Sequence, residues 1–169
     1  MDDPKEHCLP MFGSVIVTEW EPEPLPPAGA TALANFLAMT PDVLAQSERH
    51  VFAFYQDCLE INKSHGLDLT DFPIVDFAKD VWQMVLPQEI TIRSEWDDEG
   101  PWYIGIIANI TFDKGHGFAM YWENGTEISK VGGNDGNTLN SAIKWDGCQR
   151  TPVYRGVLPQ FTTYRETLV

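Results

Sequence analysis

Residues 90–131 read ITIRSEWDDEGPWYIGIIANITFDKGHGFAMYWENGTEISKV, and this stretch decides the fold. Ile90 and Ile92 alternate with Thr91 and Arg93. Trp102, Ile104, Ile106, Ala108, Ile110 and Phe112 fall on one side of a period-two pattern. Successive side chains of an extended chain point to opposite faces, so this spacing predicts strands with one buried face. Turn signals cut the run. Asp97-Asp98-Glu99-Gly100 and Asp113-Lys114-Gly115 are polar and end in glycine. Asn124-Gly125 offers two residues that tolerate positive φ, the strongest short hairpin signal in the chain. Gly132-Gly133-Asn134-Asp135-Gly136 closes the ladder. The expectation is a four-stranded antiparallel meander over 90–131, with flanking strands raising the count to as many as six.

Working outward, the period changes to that of a helix. Ile74, Phe77, Ala78, Val81, Trp82 and Val85 predict a helix from Ile74 to about Val85, stopped by Pro87. A stronger helix precedes it. Thr40 suits the N-cap, Pro41 the first turn and Asp42 the positive helix end, and Leu44, Val51, Phe54, Tyr55, Cys58 and Asn62 follow at helical spacing to Gly66. Thr31–Met39 suits a shorter helix, and Phe12–Trp20, rich in β-branched residues, suits a strand. Residues 1–10 read as a flexible tail. Residues 21–30 read as a proline-rich loop, because four prolines there remove backbone donors. Pro152–Val157 suits an edge strand packed down by Tyr154, Phe161 and Tyr164. The chain is thus expected to be one α+β domain spanning 1–169, a β-meander packed against two helices.

The formal net charge is −14. Residues 1–100 hold 19 acids and 5 bases, whereas residues 101–169 hold 6 of each, so the first part carries the whole excess. Such a field repels phosphate backbones and attracts basic proteins. It also aids solubility, and Lys144, Arg150, Arg155 and Arg165 near the C-terminus are available to pair with it. Nucleic acid is therefore not an expected partner. Neither is a membrane, since no apolar run approaches a span. Cys8, Cys58 and Cys148 form no metal or redox spacing, and Met1–Pro10 has no leader-like apolar stretch. The expected setting is the cytoplasm.

No familiar catalytic or phosphate-binding motif is present, so no catalytic residue, metal ligand or cofactor is assigned. His7, His50, His65 and His116 lie far apart. Two local features stand out. Trp96 and Trp102 bracket the acidic turn Asp97-Asp98-Glu99, and aromatic rings beside charges are common at interfaces as well as in cores. Asp113 and His116 place a carboxylate and an imidazole on one hairpin tip, which suits either a capping turn or a dyad. The expected partner-binding set is therefore Trp96, Asp97, Asp98, Glu99, Trp102, Asp113 and His116.

Asp80-Val81-Trp82, the turn Asp113-Lys114-Gly115-His116-Gly117, Tyr121-Trp122-Glu123-Asn124-Gly125, Val131-Gly132 and Asp135-Gly136 occur in an order that resembles an uncharacterised bacterial family, one of the domains of unknown function. The family's pattern has an acid before the histidine, where this chain has Gly115. The resemblance implies an α+β fold, a bacterial or phage origin and a binding role of the immunity or interaction type, without an activity to carry over. The leading expectation is a non-enzymatic protein that binds a basic partner, such as an immunity protein against a basic toxin. The alternatives are an acidic DNA mimic of the phage-inhibitor type, and an enzyme centred on Asp113 and His116 or on a cysteine. The last of these requires a pocket with convergent polar groups.

Overall fold

The computed structural model describes residues 5–20, 24–94, 100–113, 115–145 and 148–165. Six strands form one sheet in chain order: β1 (Glu6–Leu9), β2 (Ser14–Trp20), β3 (Val85–Ser94), β4 (Trp102–Ile110), β5 (Phe118–Glu123) and β6 (Glu127–Gly132). All neighbours run antiparallel except β2 and β3, which are parallel. That exception follows from connectivity: the chain leaves β2, builds helices α1 (Pro27–Leu37) and α2 (Pro41–Ser64), and returns to the same sheet, as parallel neighbours require. A short hairpin, β7 (Ile143–Trp145) and β8 (Cys148–Arg150), stands apart.

The alternation in β4 does what its spacing predicts. Trp102, Ile104, Ile106, Ala108, Ile110 and Phe112 are all buried in the main core, with Ile90 and Ile92 beside them on β3. Phe36 on α1 and Val51, Phe54 and Tyr55 on α2 fill the same core. The sheet's other face is not left to solvent. Tyr103, Ala119 and Tyr121 are buried there, packed with Ile107 and Leu139. Gly105 makes room for this layer, since a Cβ would lie 2.4 Å from the Tyr121 ring.

Turn chemistry is equally direct at Asn124-Gly125, where φ is 51° and 70°. The turn also docks on α1: Asn35 Nδ2 donates to the Asn124 carbonyl at 3.2 Å, and a Cβ on Gly125 would sit 1.9 Å from the Ala32 carbonyl oxygen. The Asn124 side chain accepts from the Trp102 N–H at 3.3 Å, which pins the start of β4 to the same turn.

Four expectations need correction. Residues 6–9 are not a loose tail but the edge strand β1, anchored by fully buried Leu9. The proline-rich stretch is shorter than 21–30, because Pro27 opens α1, where its fixed φ and missing N–H cost nothing. The helix expected over Ile74–Val85 is only a 3-10 turn at Ala78–Met84. Val81 and Met84 are buried, but Ile74 and Phe77 are largely exposed. The sheet takes the end of the segment instead, since Val85 pairs with Ile110. The second helix against the sheet is therefore α1. Pro87, expected as a stop signal, lies within β3 beside a bulge and before the pairing with β2 begins at Glu89, so its absent donor is not needed on that side.

The C-terminal residues 152–165 join the far edge of the sheet more sparingly than an edge strand would. The Val131 N–H donates to the Val153 carbonyl at 2.7 Å, and single bridges link Tyr154 to Val131 and to Thr163. Val153 and Tyr154 are buried, and the segment includes a 3-10 turn at Pro159–Phe161.

Candidate functional site

An open cleft of about 780 Å³ lies where the last turns of α2, the end of β4, the loop after β6 and the C-terminal segment meet. Its floor is apolar. Phe54, Ile61, Phe112 and Leu139 line it together with Tyr154, and the largely exposed Val157 stands at its side. Phe54 is the hub: its ring stacks on Phe118 at 5.9 Å between centroids and meets Phe112 at 5.5 Å and Tyr154 at 5.2 Å. The rim is polar and carries Asn62, Asp113, His116, Asn134, Asp135 and Arg155.

Each ionisable group there has a local cause for its position. Asp57 faces inward from α2 on the same side as Phe54 and is fully buried. It accepts three hydrogen bonds from the C-terminal segment: from the Tyr154 hydroxyl at 2.6 Å, the Val157 N–H at 2.6 Å and the Leu158 N–H at 3.0 Å. Burial, then the bond and charge of Asp57, push the Tyr154 hydroxyl far up from its ordinary pKa. Cys58 lines the cleft with its thiol pushed up to about 12, first by burial and then by the charges of Asp113 and Asp57. At neutral pH it is a protonated thiol and a poor nucleophile.

Two devices shape the rim. Asp113 sits just past β4, and the His116 ring bonds back to it, with Nδ1 at 2.9 Å and 3.2 Å from the two carboxylate oxygens. The bond to Asp113, and then its charge, raise the His116 pKa. The imidazole is 80% exposed and points into solvent at the cleft mouth. On the other side, the glycine loop after β6 is folded by Lys130. This side chain is almost completely buried, and its ammonium pairs with Asp135 and donates to the Asn137 carbonyl at 2.9 Å. Asp135 also accepts from the Asn137 N–H at 3.0 Å. Although partial burial acts the other way, these bonds hold the Asp135 carboxyl below its ordinary pKa.

The structure divides the expected site residues. Asp113 and His116 are brought together at the cleft. Trp102 starts the same strand at its opposite end, roughly 27 Å away at the rise per residue of a strand. It is a core residue, 4% exposed, with its ring packed against Gly29 of α1. Of the two readings open to it, interface and core, the structure places Trp102 in the core as a platform for α1. Trp96, Asp97, Asp98 and Glu99 lie outside the described residues.

The family model described as Domain of unknown function (DUF6985) matches residues 5–139. The chain belongs to this family. No curated protein and no solved structure matches it. Membership agrees with the expectation of an uncharacterised domain family. The DUF6985 match ends at Leu139, so Asn140, Tyr154, Arg155 and Val157 are cleft residues supplied from beyond it.

Sequence reasoning overlooked Asp57 and the C-terminal contribution. A signal for Asp57 was present: His50, Phe54, Asp57 and Ile61 fall at helical spacing on the stripe that predicts burial, so an acid there needed a partner. Among the described residues no group of three or more His, Cys, Asp or Glu side chains is placed to hold a metal ion. No described helix is long and apolar enough to cross a membrane.

Proposed function

We propose that the protein is a binding domain rather than a catalyst, and that its cleft receives a segment of a positively charged partner protein. The observation that carries this reading is the commitment of the cleft's reactive groups. Asp57 is engaged by three structural hydrogen bonds, Cys58 is a protonated thiol and Asp135 holds the glycine loop. What remains open is an apolar floor with a rim that sets Asn62, Asn134 and Asp113 beside His116 and Arg155, a surface suited to recognising a chain segment. The net charge of −14 sets the sign of the partner. An immunity protein that neutralises a basic toxin is the specific form this role takes.

Selection from an unbiased displayed-peptide library, followed by association rates across a salt series, tests the reading. Enrichment of Lys- and Arg-containing peptides is expected. Their association should slow by about tenfold or more between 50 and 500 mM salt, since steering is screened. Enrichment of neutral or acidic peptides, or rates indifferent to salt, would overturn it. One observation favours a rival: in the Asp113–His116 pair a carboxylate orients an imidazole at the cleft mouth, an arrangement suited to general-base catalysis. A hydrolytic activity that disappears in His116→Ala while peptide binding persists would establish that rival.

A further inference from the structure

The C-terminal segment, residues 152–165, is a strap laid across α2. Asp57 holds one end of it through the three bonds described above. His50, two turns earlier on the same helix face, holds the other. The His50 side chain is 1% exposed, and its Nδ1 lies 2.7 Å from Thr163 Oγ1. Thr163 is the residue that closes the strap on itself: its N–H donates to the Tyr154 carbonyl and its carbonyl accepts from the Val153 N–H, both at 2.9 Å. Tyr154, Arg155 and Val157, held by Asp57 and tied to Thr163 through the Tyr154 carbonyl, form a wall of the cleft.

The tautomer of His50 follows from its neighbours. Arg49 Nε donates to His50 Nε2 at 3.4 Å, so Nε2 is the acceptor and Nδ1 carries the proton towards Thr163. A second proton would have to go on Nε2, where it would face the Arg49 N–H donor to donor. Further charged groups line the cavity beside His50. Arg49 and Glu48 come from α2, Glu127 from β6 and Arg165 from the strap, and Arg165 is engaged by Glu123 and Glu127 at 2.8 Å and 3.0 Å. Arg49 also donates to the Tyr164 carbonyl at 2.8 Å, so the guanidinium is part of the hold it makes intolerant of charge.

We infer that His50 is a proton-sensitive latch: the neutral imidazole holds the strap on α2, and its protonation loosens the strap and opens that wall of the cleft. The imidazole pKa agrees with the geometry, lowered to about 4 by burial first and by Arg49 second.

Hydrogen exchange read on peptides covering 153–165, from pH 7.5 to pH 4 and corrected for the intrinsic pH dependence of exchange, tests the latch without a partner. Strap protection is expected to fall by roughly a hundredfold, the ceiling set by a shift of this size. Protection across 102–110 in β4 should hold. His50→Gln, which takes up no proton, should retain strap protection at pH 4. Thr163→Val, which removes the partner hydroxyl, should lower it already at pH 7.5. Undiminished strap protection in the wild type at pH 4 would overturn the latch. So would a His50→Gln variant that tracks the wild type, or loss of β4 protection in step with the strap. None of these readouts uses peptide binding, so the latch and the binding role fail separately.

Discussion

Asp57 illustrates how one side chain ties sequence to architecture. A carboxylate is costly to bury alone, and it is tolerated on the inner face of α2 because three donors converge on it. Removing it leaves the Val157 and Leu158 N–H groups without their acceptor. Asp57→Ala is therefore expected to destabilise the fold by about 3 kcal/mol, measured by urea denaturation. Asn should recover part of that loss through its remaining carbonyl. His116 offers a subtler check. Its pKa is raised by Asp113, and the ring is exposed enough to titrate freely. In Asp113→Asn the imidazole titration followed by NMR should shift to lower pH, with little change in overall stability. The identities of Asp113 and His116 were legible in the sequence because they are three residues apart in one turn. Asp57 was harder to read because its donors lie about a hundred residues away.

At the level of elements, the β5–β6 hairpin does two jobs. Asn124-Gly125 turns the chain with positive φ, and the same turn lies flat against α1. Gly125→Ala meets both constraints at once, a left-handed backbone and a Cβ driven into the Ala32 carbonyl. A loss of about 2–4 kcal/mol in thermal or chemical unfolding is expected. The expectation for this element succeeded because turn type is a local property. The expectation for 74–85 failed for a related reason. Its apolar spacing fits a helix, yet β4 extends as far as Ile110 and captures Val85 as a partner. Strand pairing between segments distant in sequence outweighed a local pattern of moderate strength.

Across the whole molecule, charge and protons are the global controls. A net charge of −14 penalises the compact state, so raising salt from about 20 to 300 mM should raise the unfolding midpoint by a few degrees. Acid acts on the fold through His50 among other groups, Asp135 included. The His50 pKa in the fold, about 4, lies below the ordinary value of 6.5, so the unfolded chain binds the proton more tightly. The stabilisation from neutral His50 is complete above pH 6.5 and is lost as pH falls towards 4. The loss is at most on the order of 3 kcal/mol, and equilibrium unfolding at a series of pH values measures it. His50→Gln should flatten that part of the profile.

Local chemistry written in the chain was sufficient for the strands of the meander, the start of α2, the Asn124-Gly125 turn and the proximity of Asp113 to His116. Each depends on residues within a few positions of one another, where spacing alone dictates which side chains share a face. The tertiary structure alone decided that Trp102 is a platform for α1, that β1 joins the sheet, that β2 pairs parallel to β3 and that the C-terminal strap completes the cleft. Those outcomes depend on contacts between segments tens to a hundred residues apart, whose pairing is selected by the burial of the whole core and not by any one stretch of it.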